Sequence, residues 1–163
     1  DHPRMVIPFR DSKGDIFAYQ GRAFGKEKPK YITIILDDSV SKIFGLDRVD
    51  TSRDIFVVEG PIDSLFIQNC IAVAQSDLRV PQYKDKAILV PDNEPRNKQI
   101  IQQLERAIDD NYRVVIWPDY VRQKDINDMI LSGLDAVEIM DIISNNTFQG
   151  LSAKVELQKW KRT

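Results

Sequence analysis

The sequence predicts an α/β fold: a Rossmann-like, parallel four-stranded sheet flanked by helices, preceded by a small antiparallel, basic lobe. Three observations carry that prediction. From residue 54 onward, short β-branched runs alternate with segments of helical spacing, which implies a parallel sheet covered on both faces. Residues 1–53 instead show a hairpin pattern broken by glycine and proline. The charge also divides with the pattern. Residues 1–30 carry seven basic and four acidic side chains, residues 54–150 nine against sixteen, and residues 151–163 four against one, inside a chain whose net charge is only −2.

The elements run in order along the chain. Arg4-Met5-Val6-Ile7-Pro8-Phe9-Arg10, a Ser12-Lys13-Gly14 turn and Ile16-Phe17-Ala18-Tyr19 predict a hairpin, and Gly21, Gly25 and Pro29 are read as breaking the segment after it. Asp54-Ile55-Phe56-Val57-Val58 is the first core strand, ended by Glu59-Gly60-Pro61. Ile62, Leu65, Phe66 and Asn69 then fall at helical spacing, with Pro61 in the first-turn position that tolerates proline. Ile71-Ala72-Val73-Ala74 and Ala87-Ile88-Leu89-Val90 read as buried strands. Residues 96–110 form the clearest helix, with Ile100, Leu104 and Ile108 at i, i+4 and i+8 and Ile101 widening the stripe. Arg113-Val114-Val115-Ile116-Trp117 is the fourth strand. Short helices near 126–132 and 135–144 and a basic helix near 150–162 complete the chain. The expected divisions are 1–53 (basic lobe), 54–145 (α/β core) and 146–163 (basic C-terminal helix).

Composition excludes several classes. No apolar run approaches the ~18 residues of a membrane span. One cysteine rules out an internal disulfide framework, and one cysteine with one histidine makes no ordinary zinc site. The chain opens on Asp1 rather than Met, so a fragment of a longer protein is expected.

Within the core, carboxylates gather where the strands end. Glu59 follows the first strand, Asp92 and Glu94 the third, and Asp119, Asp125 and Asp128 the fourth. Open parallel sheets place ligand sites at the carboxyl ends of their strands. Carboxylates crowded on that rim repel one another unless a cation neutralises them, and hard oxygen donors favour Mg²⁺, Mn²⁺ or Ca²⁺ over zinc. Such a site suits metal-assisted phosphoryl chemistry.

These residues also resemble a known family. Val57-Val58-Glu59-Gly60-Pro61-Ile62-Asp63 resembles the V-x-E-G-x-x-D signature of the Toprim domain, shared by bacterial-type primases, topoisomerases and some nucleases. Ile88-Leu89-Val90-Pro91-Asp92-Asn93-Glu94 is similar to its second motif, hydrophobic residues ending in D-x-D, with Glu94 in place of the second Asp. Lys124-Asp125-Ile126-Asn127-Asp128-Met129-Ile130 resembles the K-D-x-N-D segment of many primases, where either Asn127 or Asp128 takes the second acidic role. Arg4 to Asp11, Gly14 and Gly21-Arg22-Ala23-Phe24-Gly25 resemble the R-x-x-F-P-x-R-D…G…G-G-R-x-x-G segment of DnaG-type primases. Pro29-Lys30-Tyr31 and Ser41-Lys42-Ile43-Phe44-Gly45-Leu46 resemble the next two elements of that family. The matches run in family order over residues 4–133. Gln20 stands where the family often has Gly, and Ile7 where Phe is usual, which points to a diverged member with a bacteriophage source.

The resemblance implies the RNA-polymerase region of a DNA primase, making short RNA primers on single-stranded DNA from ribonucleoside triphosphates. It places Glu59, Asp92 and Glu94 in catalytic roles. Mg²⁺ or Mn²⁺ would fall to Glu59, Asp63, Asp92, Glu94, Asp125 and Asn127 or Asp128, and template or nucleotide phosphates to Arg4, Arg10, Arg22, Lys28 and Lys30. It implies a zinc-binding domain upstream, a replicative helicase contacted through regions outside this chain, no membrane, and the cytoplasm of a bacterial or phage-infected cell. Two competing readings are another Toprim phosphotransfer enzyme (a nuclease or topoisomerase fragment) and a non-catalytic nucleic-acid-binding module. Trp117, Trp160 and Tyr112 are expected to pack rather than stack on bases, Cys70 to be a buried small hydrophobe, and Asp119 a turn residue. The basic residues Lys154, Lys159, Lys161 and Arg162 either form a solvated helix face or dock a neighbour.

Overall fold

The computed structural model describes residues 3–162; His2, to which the sequence assigns no role, lies outside them. The chain builds two sheets. Strands β1 (Arg4–Arg10), β2 (Ile16–Ala23) and β3 (Tyr31–Ile35) form an antiparallel sheet in the order β1-β2-β3. The expected hairpin is present, but Gly21 does not end its second strand. It lies within β2, opposite Val6 and Ile32, and the chain returns after Pro29 as a third strand. Directly paired residues share a face, so two rows cross the sheet on one side: Ile7–Gln20–Thr33 and Met5–Arg22–Tyr31.

The second sheet comprises β4 (Ile55–Val58), β5 (Cys70–Ala72), β6 (Ala87–Leu89), β7 (Arg113–Val115) and β8 (Thr147–Phe148), in the order β5-β4-β6-β7-β8. The four expected strands are parallel to one another. The fifth, β8, pairs antiparallel on the β7 edge and has only two residues, too few for a period-2 signal. Every residue of β4, β5 and β6 is buried, as strands covered on both faces must be.

Helix α1 (Lys98–Asp109) buries Ile100, Leu104, Ala107 and Ile108, and the Asn97 side chain caps it by accepting from the Gln99 and Ile100 amides. Helices α2 (Ile126–Leu131) and α3 (Ala136–Asn145) come next, α3 opening on an Asp135/Glu138 capping box. Helix α4 (Gly150–Trp160) buries Ala153, Leu157 and Trp160, packing on α1, β7 and β8. Trp117, Trp160, Tyr112 and Cys70 are all buried. The helix expected after Pro61 is not formed: only a single 3₁₀ turn, Asp63–Leu65, separates β4 from β5. Asn69 takes a left-handed conformation at φ 48°, which turns the chain into β5 before a helix can propagate.

Phe44 stitches the two sheets together. Its backbone exchanges hydrogen bonds with Ala72 at 2.8 and 3.0 Å, and its ring meets Phe9 edge-on at 5.4 Å. The carboxyl ends of β4 and β6 therefore face one side of the antiparallel sheet across a cleft. Among the described residues, no helix is long and apolar enough to cross a membrane.

Candidate active site

The cleft has a volume of about 210 Å³. One wall is the antiparallel sheet, with Gln20, Lys30, Tyr31 and Thr33. The other is the strand-end rim, with Glu59, Gly60, Pro61, Asp63, Asp92, Lys124 and Asp125.

Each acidic residue is held by local structure. Glu59 follows β4, and its carbonyl accepts from the Ala74 amide at 2.9 Å, fixing the turn. Gly60 leaves room for the Asp63 carboxylate: a Cβ there would lie 2.5 Å from it and would force it to move. That carboxylate accepts from the Asn127 amide at 2.8 Å, joining the β4 turn to α2. Asp125 caps α2 through the Asp128 amide at 2.8 Å. Asp92 follows β6, where the Trp117 indole donates to the Pro91 carbonyl at 2.7 Å. Next to it, Asn93 is anchored on three sides. Its amide donates to the Lys124 carbonyl, its side-chain amide to Val121 and Gln123, and its side-chain oxygen accepts from the Trp160 indole at 3.1 Å.

Electrostatics mark the rim as short of positive charge. Burial, then the neighbouring Glu59, Asp63 and Asp125 carboxylates, push the Asp92 carboxyl up to about 7, although Lys124 opposes the shift. Burial also raises Glu59, with Glu94 adding to it, and raises Asp63, with Asp125 adding to it. Lys124 is the nearest compensation, with its ammonium 3.6 Å from Asp92 and 3.8 Å from Glu94. Burial works against that ammonium, but Asp92, Glu94 and Asp125 outweigh it and raise its pKa. Among the described residues, no three His, Cys, Asp or Glu side chains converge tightly enough to chelate one ion in this arrangement. The side-chain oxygens on the strand-end rim, from Glu59, Asp63, Asp92 and Asp125, are nonetheless all carboxylate, which fits a hard divalent cation.

Of the residues named from sequence, Glu59, Asp63, Asp92, Asp125 and Lys30 line the cleft together. Glu94 stands beside it and reaches Asp92 through the shared Lys124. Asn127 contributes its backbone amide, and Asp128 is exposed; neither lines the cleft. Arg22 and Lys30 flank the Tyr31 ring at 5.9 and 5.6 Å. Arg4 and Arg10 are engaged elsewhere: Arg4 donates to the carbonyls of Gly21, Pro29 and Lys30, and Arg10 to Gly14 at 2.7 Å. Lys28 is exposed on the loop outside the cleft. Sequence reasoning gave no site role to Lys124, Tyr31, Gln20 or Thr33. Lys124 and Tyr31 stand inside quoted motifs and Gln20 at a motif position where Gly is frequent, whereas the place of Gln20 and Thr33 on the cleft wall follows only from cross-strand register.

No protein-family model matches the chain. Sequence similarity is direct, however. The chain is 43% identical over 165 residues to the DNA primase of Enterobacteria phage T4, which covers 98% of this chain and 48% of that primase. Its fold matches a DNA primase domain from Pseudomonas aeruginosa with a TM-score of 0.70 at 22% identity, over 94% of this chain and 54% of that one. In sequence the chain is thus similar to DNA primases, and in fold to a primase domain. A DnaG primase catalytic domain solved with single-stranded DNA shares the fold as well, with a TM-score of 0.67 at 19% identity, over 88% of this chain and 51% of that one. The chain thus spans about half the length of the T4 primase and of these primase structures.

Proposed function

We propose that this chain is the catalytic core of a DNA primase, a DNA-dependent RNA polymerase that synthesises short RNA primers on single-stranded DNA. The observation that carries the reading is the cleft itself, where a face bearing Lys30, Arg22 and Tyr31 stands across from Glu59, Asp63, Asp92 and Asp125. A nucleoside triphosphate is polyanionic at one end and aromatic at the other; the Lys30, Arg22 and Tyr31 face complements both, and the carboxylate wall would complement the phosphates through a divalent cation.

On this reading Asp92, Glu94 and Asp125, with Glu59 beside them, would hold Mg²⁺ or Mn²⁺. The bound ion supplies charge neutralisation to the triphosphate and polarises the primer 3′-hydroxyl. Asn93, anchored from α4 and the 121–124 loop, fixes the segment that carries Asp92 and Glu94. Lys124 keeps the Asp92 and Glu94 charges tolerable in the free protein and stands ready to meet phosphate. Arg22 and Lys30 contact template or nucleotide phosphates without reading sequence. The basic strands at residues 1–53 grip template beside the 54–145 core, and within the 146–163 segment helix α4 buttresses that core. The wider setting is cytoplasmic DNA replication, with a replicative helicase engaged through regions outside this chain.

The test is incubation of the full-length protein with Mg²⁺, single-stranded DNA and labelled ribonucleotides. Short ribonucleotide products are expected. A cut template without primers would transfer the site to nuclease chemistry, and binding without either product would make it a recognition module.

A further inference from the structure

Gln20 is 4% exposed at the centre of β2, in a position where the resembling motif often carries Gly. Its register places it in one row with Ile7 and Thr33, on the sheet face that lines the cleft. The next row on that face is Met5–Arg22–Tyr31, so Gln20 stands beside the cationic and aromatic groups that look toward the carboxylates.

A carboxamide in that position demands partners, and this one is incompletely supplied. Its nitrogen donates to the Thr33 hydroxyl at 3.4 Å, a long bond, and its oxygen finds no partner among the described residues. Turning the amide over does not remove the problem. The oxygen would then face Thr33 and the nitrogen would be orphaned. Gly would avoid the burden entirely, so an apolar or absent side chain is the cheaper choice for folding. A buried polar atom left unpaired at the edge of a ligand cleft is explained if the ligand pairs it.

The number of free atoms selects the ligand group. Recognition of a base edge by Gln uses both amide atoms at once. Here one amide atom already bonds Thr33, which leaves the other as the single atom with no partner at all among the described residues. A hydroxyl answers that requirement in either amide orientation, because it donates and accepts. We propose that Gln20 is a specificity-determining residue that hydrogen-bonds the 2′-hydroxyl of the nucleotide held in this cleft, so that the site prefers ribonucleotides. The proposal rests on the nucleotidyl-transfer reading above.

The experiment uses the full-length protein and compares wild type with Gln20→Met, which keeps the volume, and Gln20→Gly, which removes the side chain and makes no packing demand. The KM for ATP in primer synthesis is measured beside the inhibition constants of 2′-deoxyATP and 3′-deoxyATP. Both variants are expected to weaken ATP by about five- to tenfold, the loss of one neutral hydrogen bond. They should leave unchanged the affinity for 2′-deoxyATP, which lacks the recognised hydroxyl, and weaken 3′-deoxyATP as they weaken ATP. Equal weakening of all three nucleotides, no weakening of any, or an unchanged constant for 3′-deoxyATP in place of 2′-deoxyATP would overturn the proposal while leaving the primase reading intact. A wild-type protein that neither makes primers nor binds ATP would overturn both.

Discussion

Asp92 concentrates the chemistry of the rim in one side chain. Its carboxyl, raised to about 7 by burial and by its acidic neighbours, stays protonated in the metal-free fold at pH values where an unfolded aspartate is already ionised. Between about pH 4 and 7 the folded state therefore binds more protons than the unfolded state, and stability falls as pH rises through that window. Chemical denaturation without divalent ions should show this loss, and Asp92→Asn should flatten it, stabilising the protein at pH 8 on the order of 2 kcal/mol. The same substitution should lower primer synthesis by at least about a hundredfold, the scale on which preorganised transition-state groups act. A variant that polymerises normally at saturating Mg²⁺ would remove Asp92 from the site. Divalent-ion affinity should in turn rise from pH 6 to pH 8 as Asp92 ionises, which titration calorimetry with Mn²⁺ would read. The sequence exposed Glu59 and Asp92 because each follows an unbroken apolar run, so strand end and carboxylate are visible in one short window. Lys124 and Gln20 were not legible as site residues. Their meaning depends on chain segments about 30 residues or more away in the first case, and on cross-strand register in the second.

Elements position these residues at longer range. The Trp160 indole on α4 donates to Asn93 Oδ1 at 3.1 Å, so the last helix of the chain holds the loop between Asp92 and Glu94. Trp160→Phe removes that donor, leaving a partly buried amide oxygen unpaired, and also deletes one ring of a buried side chain. The lost hydrogen bond is expected to cost about 1–2 kcal/mol in a thermal melt, with a cavity cost added to it. Amide hydrogen exchange should also accelerate at Asn93 and Glu94 more than at Leu104 on α1. Uniform acceleration would mean that α4 supports the core as a whole and does not single out the loop. The basic face of α4 is largely occupied by acidic partners. Lys154 pairs with Asp109 at 2.7 Å, Lys159 with Glu156 at 2.6 Å and Lys161 with Glu105 at 3.3 Å, while Arg162 beyond the helix meets Asp119 at 2.9 Å. Helix α1 was readable from its apolar stripe alone, since 12 residues give the 3.6 period room to repeat. The eight residues after Pro61 carried helical spacing without helix, because periodicity over two turns does not outweigh a left-handed Asn69 and a cleft that needs Asp63 at its edge. Strand β3 was hidden for the opposite reason. Four of its five residues are exposed, so no buried face imposed alternation on the sequence.

At the scale of the whole molecule, the charge of −2 is a balance between opposed regions, and the structure separates cations that are free to meet phosphate from those already occupied. Arg22 and Lys30 flank an exposed ring beside the cleft, whereas Lys154 and Lys159 are neutralised by acidic neighbours and Arg10 is bound to its own hairpin turn. Binding to single-stranded DNA should therefore weaken with salt in proportion to a small set of side chains. Each phosphate contact contributes about 0.7 to the slope of log K against log salt for single strands. Arg22→Ala and Lys30→Ala should each lower the slope by about that amount, and the double variant by about twice it, as fluorescence anisotropy with labelled oligonucleotides would measure between about 50 and 200 mM salt. Lys154→Ala and Lys159→Ala should leave the slope where it is, because removing a paired cation releases no counterion from the DNA. Arg10→Ala should lower the melting temperature by freeing the Gly14 turn, with little change in slope. If the slope instead followed the α4 lysines, DNA would track the helical side of the molecule. The cleft between the two sheets would then have to be reached by the nucleotide alone.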